Sequence, residues 1–277
     1  MQLRAGAATN RGRVRELNED VYVLRAPQGL FVVCDGMGGA PAGEVASQIA
    51  ADTIVRQLAE DGGGMVTPCR GGTRHLPETT RLAQAVRVSN DVIYRQGQAD
   101  PRQAHMGTTV VGAWVKRHIV SVAHVGDSRA YLWRLGHLQA LTRDHSLIES
   151  LLREGVPDAE SSVPPDQRDL LVRVVGGEPD VEVEVKEIPL QPGDYLLLCS
   201  DGLTRMVPES ALADTIGRLR NPQQICDRLV AAANHNGGVD NITVVIVQVG
   251  GGWWQRVFSY WTDRITGAHD GEGYSEV

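Results

Sequence analysis

The chain has no apolar run approaching the roughly 20 residues needed to span a bilayer. Its opening, MQLRAGAATNRGRV, has no continuous apolar stretch of the kind that directs export. Neither a membrane span nor a signal peptide is expected, and the expected location is cytoplasmic. Cys34, Cys69, Cys199 and Cys226 form no CxxC pair. His105, His124 and His145 are scattered, with no HExxH or similar zinc spacing. There is no GxxxxGK[ST] phosphate loop and no GxSxG nucleophile elbow. Positive charge is in deficit, with 27 Lys and Arg against 34 Asp and Glu and a net charge of -7. Nothing in that balance suggests nucleic acid or an anionic membrane as partner.

What is present is the composition of an ordinary globular protein: 277 residues, 42% apolar and 22% charged. The length suits one large domain or two small ones. Strand-like runs fall at Val21–Leu24, Leu30–Cys34, Thr108–Val115, His118–His124, Arg129–Leu135, His137–Leu141, Val181–Ile188, Tyr195–Cys199 and Ile242–Val249. Helical periodicity appears over Gly43–Glu60 and Glu78–Gln96, and again over Pro208–Leu219 and Pro222–Asn234, each of the latter pair with Pro near its first turn. The middle strands are spaced too closely for parallel crossovers, which predicts an antiparallel meander. The fold class is therefore α+β, without the βαβ alternation of a doubly wound sheet. Residues 1–249 form the expected domain. The Gly-rich stretch Asp61–Arg74 reads as a loop, and Arg143–Asp194 as a loop-rich insertion. The tail, residues 250–277, carries Trp254, Phe258 and Trp261 on one face of an expected helix, docked on the body, with a partner or a membrane surface as the alternative, weakened by its modest basic content (Arg256, Arg264). Asn241-Ile242-Thr243 fits a glycosylation sequon but reads better as the start of a strand.

The informative residues are acids at strand ends: Glu19 and Asp20 in RVRELNED, Asp35 in FVVCDGMGG, Asp201 in YLLLCSDGL and Asp240 in GGVDNITVVIV. Clustered carboxylates repel one another, and a fold keeps them together when divalent cations neutralise them. Ligands that are all oxygen select hard ions, Mg2+ or Mn2+. Asp35-Gly36 and Asp201-Gly202 repeat one step after an apolar strand, where glycine admits close approach and the Gly36 carbonyl becomes a possible ligand. Asp127, in HVGDSR, sits at an expected hairpin turn, where Asp and Gly are common for conformational reasons alone. Arg15 lies four residues before Glu19, within reach of a phosphate held beside the acids. Cys199 and Arg205 match the C-x5-R spacing of cysteine phosphatases. Asp201 inside that loop would repel phosphate, and Cys199 ends a buried run, so this reading is disfavoured.

The ordered series RVRELNED, VVCDGMGGAPAGEVAS, MGTTVV, HVGDSRAYLWR, LTRDHSL, LLLCSDGL and DNITVVIV resembles the bacterial PP2C-type (PPM) serine/threonine phosphatases, from about Ala8 to Val249. The resemblance implies an α-β-β-α sandwich, two antiparallel sheets flanked by helices, with two tightly bound Mn2+ or Mg2+ ions at one end and a third, weaker one. It implies that Asp35 bridges both ions, that Glu19 and Gly36 serve one and that Asp201 and Asp240 serve the other. Asp20 resembles the acid that orients the attacking water, Arg15 the phosphate grip, and Asp127 the acid that holds the third ion with Asp201. It implies phosphoproteins as partners, targets of a Ser/Thr kinase and the kinase itself among them, hydrolysed by direct attack of water.

The sequence departs from the family in three places. Met37 stands where many eukaryotic members carry His. Pro164 and Asp169 replace the His and Asn of the usual flap pattern. Asp61–Pro77 looks longer than usual. A catalytically weak relative that binds phosphoproteins or scaffolds a complex is the alternative, and the presence of Glu19, Asp35, Asp201 and Asp240 argues against it.

Overall fold

The computed structural model describes residues 1–38, 42–59, 75–156, 158–164 and 167–250. In chain order these form β1 (Gln2–Asn10), β2 (Asp20–Arg25), β3 (Leu30–Met37), α1 (Ala42–Ala59), α2 (Pro77–Ala99), β4 (Gly107–Thr108), β5 (Val110–Lys116), β6 (Ile119–Val125), β7 (Arg129–Arg134) and β8 (His137–Ala140). There follow α3 (Leu147–Arg153), α4 (Ala159–Ser162), β9 (Glu184–Pro189), β10 (Tyr195–Cys199), α5 (Asp201–Thr204), α6 (Glu209–Arg218), α7 (Pro222–His235) and β11 (Ile242–Gly250). The expected tail helix lies outside the described residues, as does the whole of the expected loop Asp61–Arg74.

Two antiparallel sheets are built, one in the order β1-β11-β10-β7-β8 and the other β2-β3-β5-β6-β9, with β4 paired to β3. Alternation along the strands sets the layers, because successive side chains leave opposite faces. In β3, Phe31 and Val33 join Leu196, Leu198, Val245 and Val247 in a core between the sheets. Leu30, Val32 and Cys34 face the other way, onto Ile54, Leu82 and Val86 of α1 and α2. In β10, Tyr195, Leu197 and Cys199 pack on Leu212, Ile216, Ile225 and Leu229 of α6 and α7. The result is the expected α-β-β-α sandwich, with the inter-sheet core fully apolar until its end.

Four expectations change. A strand was not read over Gln2–Asn10, yet β1 pairs with β11 from Gln2↔Gly250 to Asn10↔Ile242. The segment His124–Arg129 is not a hairpin turn: β6 and β7 belong to different sheets, and Gly126–Ser128 crosses from one to the other. Thr108–Val115 is two strands, broken at Thr109, whose N–H donates to the Asp35 carbonyl at 2.8 Å. The strand expected at Val181–Ile188 inside the 143–194 stretch starts later, as β9 from Glu184, where its register with His124 of β6 begins.

Candidate metal centre

Asp20 and Asp35 are direct partners in the β2–β3 register. Opposed residues of an antiparallel pair share a face. Here it is the face that carries Phe31 and Val33, so the inter-sheet core ends in two carboxylates. From the opposite sheet, β10 stops at Cys199 and α5 opens with Asp201, while Asp240 and Asn241 immediately precede β11. Asp127 arrives on the crossing between β6 and β7. All the acids singled out in the sequence therefore meet at one end of the sandwich, and both sheets contribute.

The backbone there is held closely. The Glu19 carbonyl accepts from the Gly36 N–H at 3.2 Å and from Ser47 Oγ at 2.6 Å. Thr108 Oγ1 donates to the Asp35 carbonyl, and Thr109 Oγ1 accepts from the Asp35 N–H. Ser200 Oγ donates to Asp20 Oδ2 at 2.8 Å and accepts from the Thr243 N–H at 2.9 Å, tying the acid of one sheet to the strand ends of the other. Both Asp-Gly steps require glycine, because a Cβ at Gly36 would strike the Gly43 carbonyl and one at Gly202 the Asn241 carbonyl.

The electrostatics are those of a site built for cations. Burial, and then the charges of Asp20, Asp201, Asp127 and Asp240, push the Asp35 carboxyl well above the usual range. Burial raises Asp20 to about 7 despite the Ser200 hydroxyl, and Asp127 is likewise raised to about 7 by burial and then Asp201. Glu19 and Asp201 also rise, each chiefly through burial. Glu19 Oε1, Asp20 Oδ1 and Asp201 Oδ1 are buried yet meet no hydrogen-bond donor among the described residues. Buried, unpartnered carboxylate oxygens are costly unless an ion takes them. The donor set, all oxygen, fits Mn2+ or Mg2+.

Two guanidinium groups enter the cluster. Arg15 Nη2 donates to Asp240 Oδ2 at 2.8 Å from a loop that stays half open to solvent. Arg205 Nη2 lies 2.9 Å from Asp201 Oδ2. Sequence reasoning met Arg205 only as part of the cysteine-phosphatase spacing. The structure removes that reading, since Cys199 is fully buried and burial pushes its thiol up to about 12. The signal that could have found Arg205 is its place four residues after Asp201, one helical turn on. Asn241 was also missed. It is 5% exposed and its amide is fully engaged, which excludes the glycosylation sequon.

Beside Asp127, His145 braces the crossing between the sheets. Its backbone N–H donates to the Gly126 carbonyl at 2.8 Å, and its ring Nδ1 accepts from the Gly126 N–H at 3.1 Å. A backbone N–H can only donate, so Nδ1 is an acceptor here, while Nε2 lies 3.4 Å from Glu184 Oε1 and 3.3 Å from Arg173 Nη1. His124, His145 and Glu184 bring possible ligand atoms within 4.8 Å of one another. With the Arg173 guanidinium already against His145 Nε2, the group is read as a structural brace. Glu184 also holds Arg153 of α3 at 2.7 Å, which anchors the flap to the same sheet edge.

Comparison with known proteins agrees with this geometry. The family model described as "Protein phosphatase 2C" matches residues 10–234. The serine/threonine phosphatase stp of Listeria welshimeri is 38% identical over 244 residues, covering 87% of this chain and 93% of that protein. PstP of Mycobacterium tuberculosis, a serine/threonine protein phosphatase, is 34% identical over 248 residues, 89% of this chain and 45% of that longer protein. Among solved structures, the catalytic domain of PstP in complex with two manganese ions superposes with a TM-score of 0.75 at 32% identity, covering 90% of this chain and 99% of that one. Stp1 of Staphylococcus aureus superposes with a TM-score of 0.78 at 31% identity, covering 91% and 96%. With the acid cluster at the end of its sandwich and this likeness over most of its length, the chain belongs to the protein phosphatase 2C family and is a serine/threonine protein phosphatase.

Proposed function

We propose that Glu19, Asp35 and the Gly36 carbonyl hold one divalent ion and that Asp35, Asp201 and Asp240 hold a second, Mn2+ or Mg2+ in each case. The observation that carries this is the convergence of buried oxygens without a donor, Glu19 Oε1 and Asp201 Oδ1, around the raised carboxyl of Asp35. When bound, the two ions supply a lowered pKa for water and a counter-charge for the phosphoryl group.

The remaining work falls to side chains of this chain. Arg15, half exposed at the rim and already a donor to Asp240 Oδ2, grips phosphate oxygens of a phosphoserine or phosphothreonine with its planar fork. Asp20, held by Ser200 through Oδ2, keeps Oδ1 free to accept a proton from the attacking water and orient it in line. No covalent intermediate on the protein is invoked, as Cys199 is inert. Met37, on the same face of β3 as Asp35, cannot donate a proton to the leaving alkoxide, so that proton comes from solvent.

The substrates proposed are phosphoproteins made by a Ser/Thr kinase, the kinase among them. The test is release of inorganic phosphate from a phosphothreonine peptide, with Mn2+ and after chelation by EDTA. Activity should vanish on chelation and return with Mn2+. Full turnover by the metal-stripped chain would end the proposal.

A further inference from the structure

The end of the sandwich away from the acids is basic. β2 and β3 run between the pair Asp20–Asp35 at the acid cluster and the pair Arg25–Leu30 at the far end, where their connecting turn meets the end of β5. The two are bonded: the Val115 N–H donates to the Gly29 carbonyl at 2.8 Å, and Trp114 Nε1 donates to the Gln28 carbonyl at 3.3 Å. Trp114 is nearly buried, with the guanidinium of Arg81 5.4 Å and the ammonium of Lys116 5.1 Å from its ring centroid. Beside it lies a cavity of about 680 Å3, walled by Leu30, Val55 and Leu58 and lined also by Arg25, Arg81, Lys116 and Arg117. Glu78 is the one acid among its described lining residues. A second cavity, of about 480 Å3, shares Gln28, Lys116 and Arg117 with the first and reaches Gln2 and Leu3 of β1. Together they make a groove with apolar walls and a surplus of cations, in a chain whose net charge is -7.

We infer that this groove is the docking site of the chain's own tail, residues 251–277, with the aromatic segment 253–261 as the anchor. The tail leaves the body at Gly250, the last residue of β11, whose register partner is Gln2. It therefore starts at the edge of the smaller cavity and not at the acid cluster. Trp254, four residues on, can stand up to about 13 Å from Gly250. That is enough to cross the roughly 10 Å between facing sheets and reach Gln28 and Lys116 on the other side. The tail holds three of the chain's five tryptophans, together with Phe258 and Tyr260. Each such ring gains by leaving water, and buries about 150–250 Å2 when it does. Lys116, Arg117 and Arg25 are exposed at the groove, and a cation set over an aromatic face adds to that gain. Beyond the aromatic segment Asp263, Asp270, Glu272 and Glu276 outnumber Arg256 and Arg264, which suits the surplus of positive charge. A tail docked there leaves the mouth of the metal centre open.

The experiment is photo-cross-linking within the full-length chain. Phe258→p-benzoylphenylalanine and, in a second protein, Trp254→p-benzoylphenylalanine place the probe in the tail, and mass spectrometry maps the products after irradiation. The expected product lies within one chain and joins the tail to residues 25–30, 55–58 or 114–118. Adding Lys116→Glu and Arg117→Glu should cut its yield at least about threefold, by loss of the cations that face the rings. Those two changes should leave Mn2+-dependent hydrolysis intact, since they lie at the opposite end of the sandwich. The inference is overturned if neither probe gives a product within one chain, or if the products map elsewhere on the body. An unchanged yield in the charge-reversed chain overturns the fit of aromatic tail to cationic groove. A product that joins two chains, with a yield rising with protein concentration, would give the groove to a second copy. Loss of the product on adding phosphatidylglycerol vesicles would give the tail to a membrane surface. Either of these also overturns the inference.

Discussion

Asn241 fastens Glu19 to the far end of the chain: its Oδ1 accepts the Glu19 N–H at 2.8 Å, while its Nδ2 donates to the carbonyls of Arg11 and Leu17 at 3.0 and 2.8 Å. One amide thus sets the path of the loop that carries Arg15 and delivers Glu19. Asn241→Ala leaves two carbonyls and one N–H without that partner. The expected cost is about 2–4 kcal/mol, from the penalty of buried groups losing their hydrogen bonds. Chemical denaturation measures it, and Mn2+ affinity should fall in parallel. A loss of stability with unchanged Mn2+ affinity would mean that the loop finds its place without Asn241.

Asp201→Asn removes charge from a proposed ion ligand and should lower kcat by about 100-fold or more, the scale on which first ligands of catalytic ions matter. Cys199→Ser should retain most activity, because its buried thiol touches no reacting group. The opposite pattern would revive a cysteine mechanism.

Arg15→Ala should act mainly on KM, raising it by about tenfold, since a phosphate grip serves ground and transition states alike. Steady-state kinetics on a phosphothreonine peptide decides this. An unchanged KM would place Arg15 off the phosphate path and leave it only as the partner of Asp240.

The metal-free protein should lose stability as pH rises. Asp20 and Asp127 titrate near 7 in the folded chain, against about 3.9 when unfolded. Between these values the folded state holds the extra protons, so the unfolding free energy falls with increasing pH from about 4 to about 7. In EDTA, the melting temperature at about pH 7.5 should lie below that at about pH 5.5, apart from groups elsewhere, and Mn2+ should reverse the order. A melting temperature that climbs through this window in EDTA would contradict the burial of these carboxyls beside one another.

His145→Asn should be tolerated better than His145→Gln. The Asn oxygen can reach the place of Nδ1 and accept the Gly126 N–H, whereas the longer Gln carries its carboxamide to the place of Nε2, away from that N–H. The expected difference is about 1 kcal/mol, one hydrogen bond, by thermal or urea melting. Equal losses would show that the ring matters for its bulk under Arg173 and His124.

The layered fold was legible because strands of strong apolar character, such as Leu196–Cys199 and Val244–Val247, announce themselves, and the acids at their ends do too. β1 was not, since QLRAGAATN has few β-branched residues and forms a strand through nine paired positions of β11 and through Gln223 of α7, whose amide bonds both backbone groups of Ala7. The passage from β6 to β7 was misread because a three-residue link rich in Gly and Asp looks the same whether it turns back or crosses to another sheet. Arg205, Ser200 and Asn241 stayed hidden for a related reason. Their roles depend on partners 4, 180 and 222 positions away, and only the first of these separations leaves a local pattern.

The bond between Glu19 and Asn241 spans almost the whole chain, and β1 and β11 must already be zipped for it to exist. Contacts of such long sequence separation close late, after their loop entropy has been overcome by the rest of the sandwich. Catalytic competence should therefore arrive last during folding. A chain still emerging from the ribosome, lacking Asp240 and β11, has the other acids but not the strand that brings the two sheets' ends together around them. Dephosphorylating activity in this protein is thereby a signal that β11 has closed its sheet.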